Sequence, residues 1–111
     1  MSQDGPRKTF SVYVIRLSSE VLAKRKFAKE NPGHDPRKPC VYVGMTGLTP
    51  EARFARHKAD IQACDLVRDF GEELIPRQYE KFNPMTYDEA KAMEVELARR
   101  LRKRGYAVWQ K

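Results

Sequence analysis

Several polar residues suited to binding or catalysis fall in one stretch, residues 40–57, with the sequence CVYVGMTGLTPEARFARH. Arg53 and His57 are four residues apart, which places both side chains on one flank of a helix. An arginine there could hold a phosphate through two parallel hydrogen bonds, and a histidine could donate to the same group or transfer a proton. Ordinary polarity of a helix surface is the alternative explanation.

A carboxylate in the last predicted helix falls among apolar residues. At about 100° per residue, Glu94 lies inside an apolar stripe, whereas Glu96 lies among charged residues and is expected to be a solvated surface charge. Because burying a bare carboxylate is costly, Glu94 must be paired, bound to a metal or placed at the edge of a site. A structural salt bridge to a nearby arginine is the alternative. The stripe consists of Ala90, Met93, Leu97, Ala98 and Leu101.

Two tyrosines and a glycine-containing turn accompany these residues. Tyr13 and Tyr42 lie in two predicted strands, where packing within the sheet is the usual role of a tyrosine. Residues 44–47, GMTG, could bring the backbone close to a ligand, although the run is too short to be a phosphate loop. Gly44 and Thr46 are therefore candidate substrate contacts.

The first half of the chain predicts two strands that would position the tyrosines. Residues 9–17, TFSVYVIRL, are apolar on both faces and indicate a central strand, and residues 39–45 indicate a second strand paired with it. Between them, Ser18 or Ser19 could cap a short basic helix that ends at the Asn31-Pro32-Gly33 sequence. Residues 31–39 then predict a surface loop.

The second half predicts the helices that would carry the other groups. Thr49, followed by proline and glutamate, predicts a helix that runs to about residue 63, with Phe54 and Ile61 on its packing side. A turn at 65–70 leads to a weaker third strand, EELIPRQYEKF, which Pro76 restricts to an edge.

The last helix has the clearest boundaries. Thr86 and Glu89 predict a capping box, with Met85 placed to pack onto Ala90, and the helix continues to residue 104, where a glycine ends it. Residues 106–109 form a final short strand or a tail. The sequence thus predicts an α+β fold with a small, mostly antiparallel three-stranded sheet flanked by helices.

Length and composition limit the remaining possibilities. The 111 residues suffice for one domain, which we expect at 9–111 after a disordered tail at 1–8. The sequence has neither a signal peptide nor an apolar run of membrane-spanning length, so a cytoplasmic protein without membrane association is expected. Cys40 and Cys64 lack metal-ligand spacing and are expected to be free thiols.

The net charge of +7 favours a polyanion such as nucleic acid as partner, although solubility alone can explain it. Candidate phosphate contacts beside the histidine are Arg56 and Lys58, and basic residues also crowd the end of the last helix. Some of these complement the helix dipole, and the excess suggests a line of phosphate contacts. The basic residues at the helix end are Arg99, Arg100, Arg102, Lys103 and Arg104.

These motifs, taken in order, resemble the GIY-YIG nuclease domain. The resemblance covers residues 9–108 and rests on VYV at 12–14, YVG at 42–44, RFARH at 53–57 and Glu94 with the apolar residues after it. It implies cleavage of DNA phosphodiesters with one divalent metal ion, Mg²⁺ or Mn²⁺. The implied catalytic residues are Tyr13, Tyr42, Arg53, His57 and Glu94, the last as the metal ligand.

The sequence departs from that family at three places. The first motif, SVY at 11–13, lacks the usual glycine. The two tyrosines are separated by the 28 residues 14–41, which implies that 18–39 is an insertion. Residues 106–109 stand where the family often carries an asparagine.

The sequence therefore predicts a metal-dependent endonuclease that acts on DNA, with RNA as a second possibility, and no sequence-reading element is recognisable. Two alternatives stay open: a nucleic-acid-binding module that keeps the fold without cutting, and a small basic domain that binds an acidic protein. The chain could be a monomer or a transient dimer.

Overall fold

Four strands form one mixed sheet in the computed structural model, which describes residues 7–110. The sheet order is β3-β1-β2-β4; β1 pairs antiparallel with β2 and β3, and β4 runs parallel to β2. The central position of the first strand and the edge position of the third are confirmed. The expected three-stranded sheet is wrong, because the last residues form a fourth strand. The strands are β1 (Ser11–Leu17), β2 (Cys40–Thr46), β3 (Gly71–Leu74) and β4 (Ala107–Gln110).

Within the described residues, four α-helices and three 3-10 helices connect the strands. None of them is long and apolar enough to cross a membrane. The predicted basic helix is divided: Ser18 caps a 3-10 helix, the backbone turns extended at Lys24, and a short α-helix follows. The α-helices are α1 (Arg25–Lys29), α2 (Pro50–Lys58), α3 (Asp65–Phe70) and α4 (Tyr87–Lys103), and the 3-10 helices are Ser19–Ala23, Pro76–Gln78 and Glu80–Phe82.

The segment after α2 differs most from the prediction. The helix ends at Lys58 rather than near residue 63, and Asp60 and Gln62 have positive φ angles of 62° and 49°, which a continuing helix does not allow. Ile61 is consequently 44% exposed and does not belong to a packing face. Residues 65–70, predicted as a turn, form α3 instead, because Leu66 and Val67 are buried in the core.

The last helix agrees with its prediction to within one residue. Thr86 and Glu89 form both hydrogen bonds of the capping box, and Gly105 has the positive φ of 96° that commonly ends a helix. The stripe that contains Glu94 faces the core. Cys40 and Cys64 are free thiols, as predicted. Of the predicted disordered tail, residues 1–6 lie outside the described residues.

Two asparagine side chains take the place of neighbouring strands. Asn83 accepts a hydrogen bond from the backbone N–H of Val12 (2.9 Å) and donates to its carbonyl (2.8 Å) beyond the end of β3. Asn31 does the same for Val108 on the outer edge of β4, accepting at 2.7 Å and donating at 3.0 Å. The inserted segment, which buries Val21 and Phe27, is thus joined to the sheet through an amide.

The Asn31 contact gives a prediction about stability. In Asn31→Ala the buried N–H of Val108 loses its acceptor, whereas the carbonyl keeps a bond from Arg102. We expect the free energy of unfolding to fall by about 1–3 kcal/mol, as for one unpaired buried donor. Urea denaturation measures this change. The control Glu30→Ala, at an exposed neighbouring position, should stay within about 0.5 kcal/mol of the parent. Equal losses in both variants would contradict the bridging role.

Candidate functional site

All five predicted catalytic residues line one cavity of about 430 Å³. They come from four elements: one tyrosine each from β1 and β2, an arginine and a histidine from α2, and a glutamate from α4. The sequence separation between them is large, so only the fold brings them together. The lining residues are Tyr13, Tyr42, Met45, Arg53, His57, Gln62, Ala63, Cys64, Tyr87, Lys91 and Glu94.

Gly44 makes room for both tyrosines. It is the cross-strand partner of Tyr13, and a Cβ atom at this position would lie 2.7 Å from the Tyr13 hydroxyl and 2.8 Å from the Tyr42 ring. Tyr13 is fully buried, so its ring has no free space to enter. We predicted Gly44 as a substrate contact, and its observed contacts are with the two tyrosines.

His57 lies inside the protein, so the explanation of its side chain as surface polarity is wrong. The backbone N–H of Cys64 donates to Nδ1 at 3.1 Å, and Nε2 lies 2.9 Å from the Tyr13 hydroxyl oxygen. A nitrogen that accepts a hydrogen bond carries no proton, so the proton of the neutral ring must be on Nε2. Nε2–H therefore donates to Tyr13, whose own hydroxyl hydrogen must point elsewhere.

Burial controls the protonation of this group. It lowers the pKa of His57 to about 4, and the positive charge of Arg53 adds to the decrease. Burial also raises the pKa of Tyr13 to about 12, although Arg53 opposes the increase. The pKa of Tyr42 is raised further, first by burial and then by Tyr13. At neutral pH the histidine and both phenols are therefore uncharged. A tyrosine acting as a base needs a lowered pKa, and these surroundings do not provide one.

Glu94 is only 9% exposed and faces the cavity. Its Oε1 accepts a hydrogen bond of 2.8 Å from the side-chain amide of Gln110 in β4. Burial raises the pKa of Glu94, and this hydrogen bond partly opposes the increase. The expected alternative, a salt bridge to an arginine, does not occur among residues 7–110. Gln110 lies one residue beyond the segment 106–109, and no local sequence pattern identifies it as a partner of Glu94.

Arg53 is held against the cavity wall by the loop that follows its own helix. Its guanidinium donates to the carbonyl of Ile61 at 3.3 Å and to the carbonyl of Gln62 at 2.9 Å. The positive φ angles of that loop turn these carbonyls toward the helix that precedes it. The early end of α2 therefore fixes the position of the arginine.

The other predicted substrate contacts lie outside the cavity lining. Thr46 accepts a hydrogen bond from the N–H of Leu48, and Lys58 donates to two backbone carbonyls at the C-terminal end of α3. Arg56 and Lys103 are exposed. The remaining basic residues have partners within the protein: Arg99 and Arg100 form ion pairs with Glu96, and Arg102 donates to the Val108 carbonyl and to Asn31.

Tyr87 and Lys91 are among the lining residues that were not predicted from the sequence. Counting back from Glu94 by three and seven residues along α4 reaches both, so they lie on the same helix face. Tyr87 is half exposed, and its ring meets Phe10 edge-on with centroids 5.3 Å apart. The helical spacing was the signal that could have identified them.

One carboxylate is available for a metal ion. Within residues 7–110, no group of three or more His, Cys, Asp or Glu side chains could together hold a metal ion. Mg²⁺ accepts one or two protein carboxylates together with water and phosphate oxygens, and Mn²⁺ favours the same oxygen ligands. Glu94 in its cavity fits an ion of this kind.

In comparisons with known proteins, this chain matches no family model, no curated protein and no solved structure. The relationship to GIY-YIG nucleases therefore stays a prediction, and the function must be inferred from the cavity.

The close packing at Gly44 gives a prediction about stability. In Gly44→Ala the added methyl group must displace two buried tyrosine rings, and we expect a loss of about 1–3 kcal/mol, as for other overpacked cores. Chemical denaturation checks this value. Gly33→Ala is a matched control, since a Cβ atom there meets nothing within 4 Å. Comparable stability of the two variants would show that the tyrosine rings can move.

The hydrogen bonds of His57 predict its tautomer and its titration. Nitrogen-15 NMR should show a proton on Nε2 and none on Nδ1, with a pKa near 4. Because an unfolded histidine titrates near 6.5, the unfolded chain binds more protons between these pH values. Stability linked to His57 should therefore be lost as the pH falls from about 6.5 through about 4. A proton on Nδ1, or titration near 6.5, would exclude this arrangement.

Proposed function

We propose that this chain is a divalent-metal-dependent endonuclease of the GIY-YIG type that hydrolyses phosphodiester bonds, in DNA before RNA. The observation that carries the proposal is the cavity itself, in which tyrosine, arginine, histidine and carboxylate side chains from four separate elements converge. The sequence motifs implied these residues from their order along the chain. That their side chains line one cavity is a separate observation.

The carboxylate favours an enzyme over a binding module. A site that only bound phosphate would gain from positive charge and would be weakened by a nearby carboxylate. Glu94 lines the same cavity as Arg53, and its one described hydrogen bond comes from an uncharged amide. A cation between Glu94 and a phosphate would explain the combination. When bound, such an ion would neutralise phosphate charge and lower the pKa of adjacent groups.

Arg53 would act on the substrate directly, and Tyr13 would act through a water molecule. Phosphodiester hydrolysis needs charge stabilisation on the phosphate, an oriented water and a protonated leaving oxygen. The guanidinium of Arg53 can bind the non-bridging oxygens. Tyr13 accepts a hydrogen bond from His57, so its own hydrogen would point away from the histidine, where it could orient a water molecule. With a pKa of about 12 in the free protein, Tyr13 needs added positive charge before it can act as a base.

His57 would be a positioning residue. Both of its ring nitrogens are occupied, one by the Cys64 N–H and the other by the Tyr13 hydroxyl. Its low pKa keeps it from carrying a proton at neutral pH. Its Nε2–H would stabilise a negative charge on the Tyr13 oxygen, and it would not exchange protons with the substrate.

A nucleic-acid-binding module without catalysis is the second candidate. The raised pKa values of Tyr13, Tyr42 and Glu94 favour it, because they describe a site whose groups prefer to be uncharged. Such a module could retain the cavity as a structural feature.

The decisive experiment is cleavage of supercoiled, nicked and branched DNA with Mg²⁺ or with EDTA. Glu94→Gln keeps the size of the side chain and removes its charge. We expect metal-dependent cutting by the parent chain and a loss of about 100-fold or more in the variant, similar to the loss of one group that stabilises a transition state.

The matched control is Glu96→Gln, two residues away on the same helix, where the carboxylate pairs with Arg99 and Arg100 instead of facing the cavity. It should cut at nearly the parental rate. Absence of cutting by the parent chain on every substrate, together with unchanged DNA affinity in Glu94→Gln, would refute the nuclease and leave the binding module.

A further inference from the structure

A group of positive charges without ion-pair partners in the described part of the chain lies away from the candidate catalytic cavity. Three adjoining depressions run along another part of the surface and share no residue with that cavity. We call them the basic groove and define it by Lys38, Arg77, Lys81, Arg104 and Tyr106.

The depressions form one continuous surface. The first depression includes Arg104, the second includes Tyr106 and the third includes Lys38. Arg77 lines both the first and the second, and Arg16 and Pro39 line both the second and the third. Tyr106 joins them at the centre: its hydroxyl accepts a hydrogen bond of 3.4 Å from Gln78 in the first depression. Lys38, from the third, lies over its ring, 5.8 Å from the centroid. One extended ligand could therefore contact the whole groove.

Most positive charge at the groove is not neutralised by the protein. Arg16, Arg37 and Arg100 also line it, and each has an acidic partner. In contrast, four exposed cations of the groove form no ion pair with any residue in the described part of the chain. These are Lys38, Arg77, Lys81 and Arg104. Four like charges along one groove attract a polyanion and lose counterions when it binds.

The chemistry of the groove favours a phosphate backbone over an acidic protein. Two of the four cations are arginines, whose planar guanidinium groups match phosphate oxygens. Tight protein interfaces depend on buried aromatic or apolar anchors. The two depressions on either side of Arg77 have no exposed large apolar side chain among the described residues. Contacts to a nucleic-acid backbone require only charge and hydrogen bonds.

We propose that the basic groove binds the phosphate backbone of a second nucleic-acid segment, separate from the segment in the catalytic cavity. The inference extends the proposed nuclease function, because an enzyme with two such sites would favour branched or paired duplexes over a single linear one. The binding itself does not require cleavage.

The test measures DNA affinity in Glu94→Gln, in which cleavage does not interfere. Anisotropy of a labelled four-way branched DNA is recorded over a series of salt concentrations, with and without Arg77→Gln/Arg104→Gln. Each lost phosphate contact should reduce the slope of log K against log salt by about 0.9, so we expect a reduction of about 2. A slope and an affinity equal to those of the parent would overturn the proposal.

The control is Arg25→Gln/Lys29→Gln, which removes the same net charge from exposed positions outside the groove. It should change the slope much less. Equal effects of the two double variants would show that net charge alone attracts DNA, and would also overturn the proposal. Binding of polyglutamate with the affinity and variant dependence seen for DNA would replace the nucleic acid with an acidic protein.

Failure of this inference can be distinguished from failure of the proposed function. If cleavage depends on Glu94 while the groove variant binds and cuts branched DNA like its parent, the groove assignment fails and the nuclease stands. If no variant cuts and the groove variant still loses about two units of slope, the groove stands without the nuclease.

Discussion

The pairing of Tyr13 with Gly44 across β1 and β2 determines how the sheet packs and where the cavity forms. In an antiparallel ladder each residue faces a fixed partner, so the register of β1 and β2 decides what can lie above the sheet at this point. A side chain at position 44 would occupy the volume that the two tyrosines need. A shift of one residue between the two strands would place the two tyrosines on opposite faces of the sheet, and the cavity would lose one of them. The glycine therefore specifies both the packing of the sheet and the geometry of the site.

The loop between α2 and α3 transfers that geometry to the charged groups. Two of its carbonyls bind Arg53, and the N–H of Cys64 at its end fixes the tautomer of His57, which then donates to Tyr13. Backbone groups in a packed loop have few alternative positions, so they can orient the side chains. Unlike carboxylates, these carbonyls add no full negative charge that would compete with a substrate phosphate for Arg53. A longer α2, as the sequence suggested, would have used the same backbone groups within the helix.

The parts of the fold that could be predicted from the sequence are those with strong local signals. The apolar run of β1 and the capping box of α4 depend on neighbouring residues, and helical phase was enough to place Glu94 on the buried face. Gln110 and the strand pairing of β4 could not be predicted, because both depend on a parallel contact between segments far apart in the sequence. The short α2 was missed because the positive φ angles at Asp60 and Gln62 are stabilised by tertiary contacts. Those contacts, made by Arg53, are absent from any local pattern.

The distribution of charge follows from the same packing. Burial makes the uncharged forms of the tyrosines, the histidine and the glutamate of the cavity more stable, so the positive charge of the cavity comes from Arg53 and Lys91. Further exposed cations without an ion pair among the described residues, including Arg77 and Arg104, lie around Tyr106, on a surface separate from the cavity. Sequence position alone suggested the end of α4, where Glu96 neutralises two arginines and Asn31 engages a third. The basic groove and the cavity are separate surfaces, and a substrate long enough to reach both would be held more firmly than one that reaches either alone.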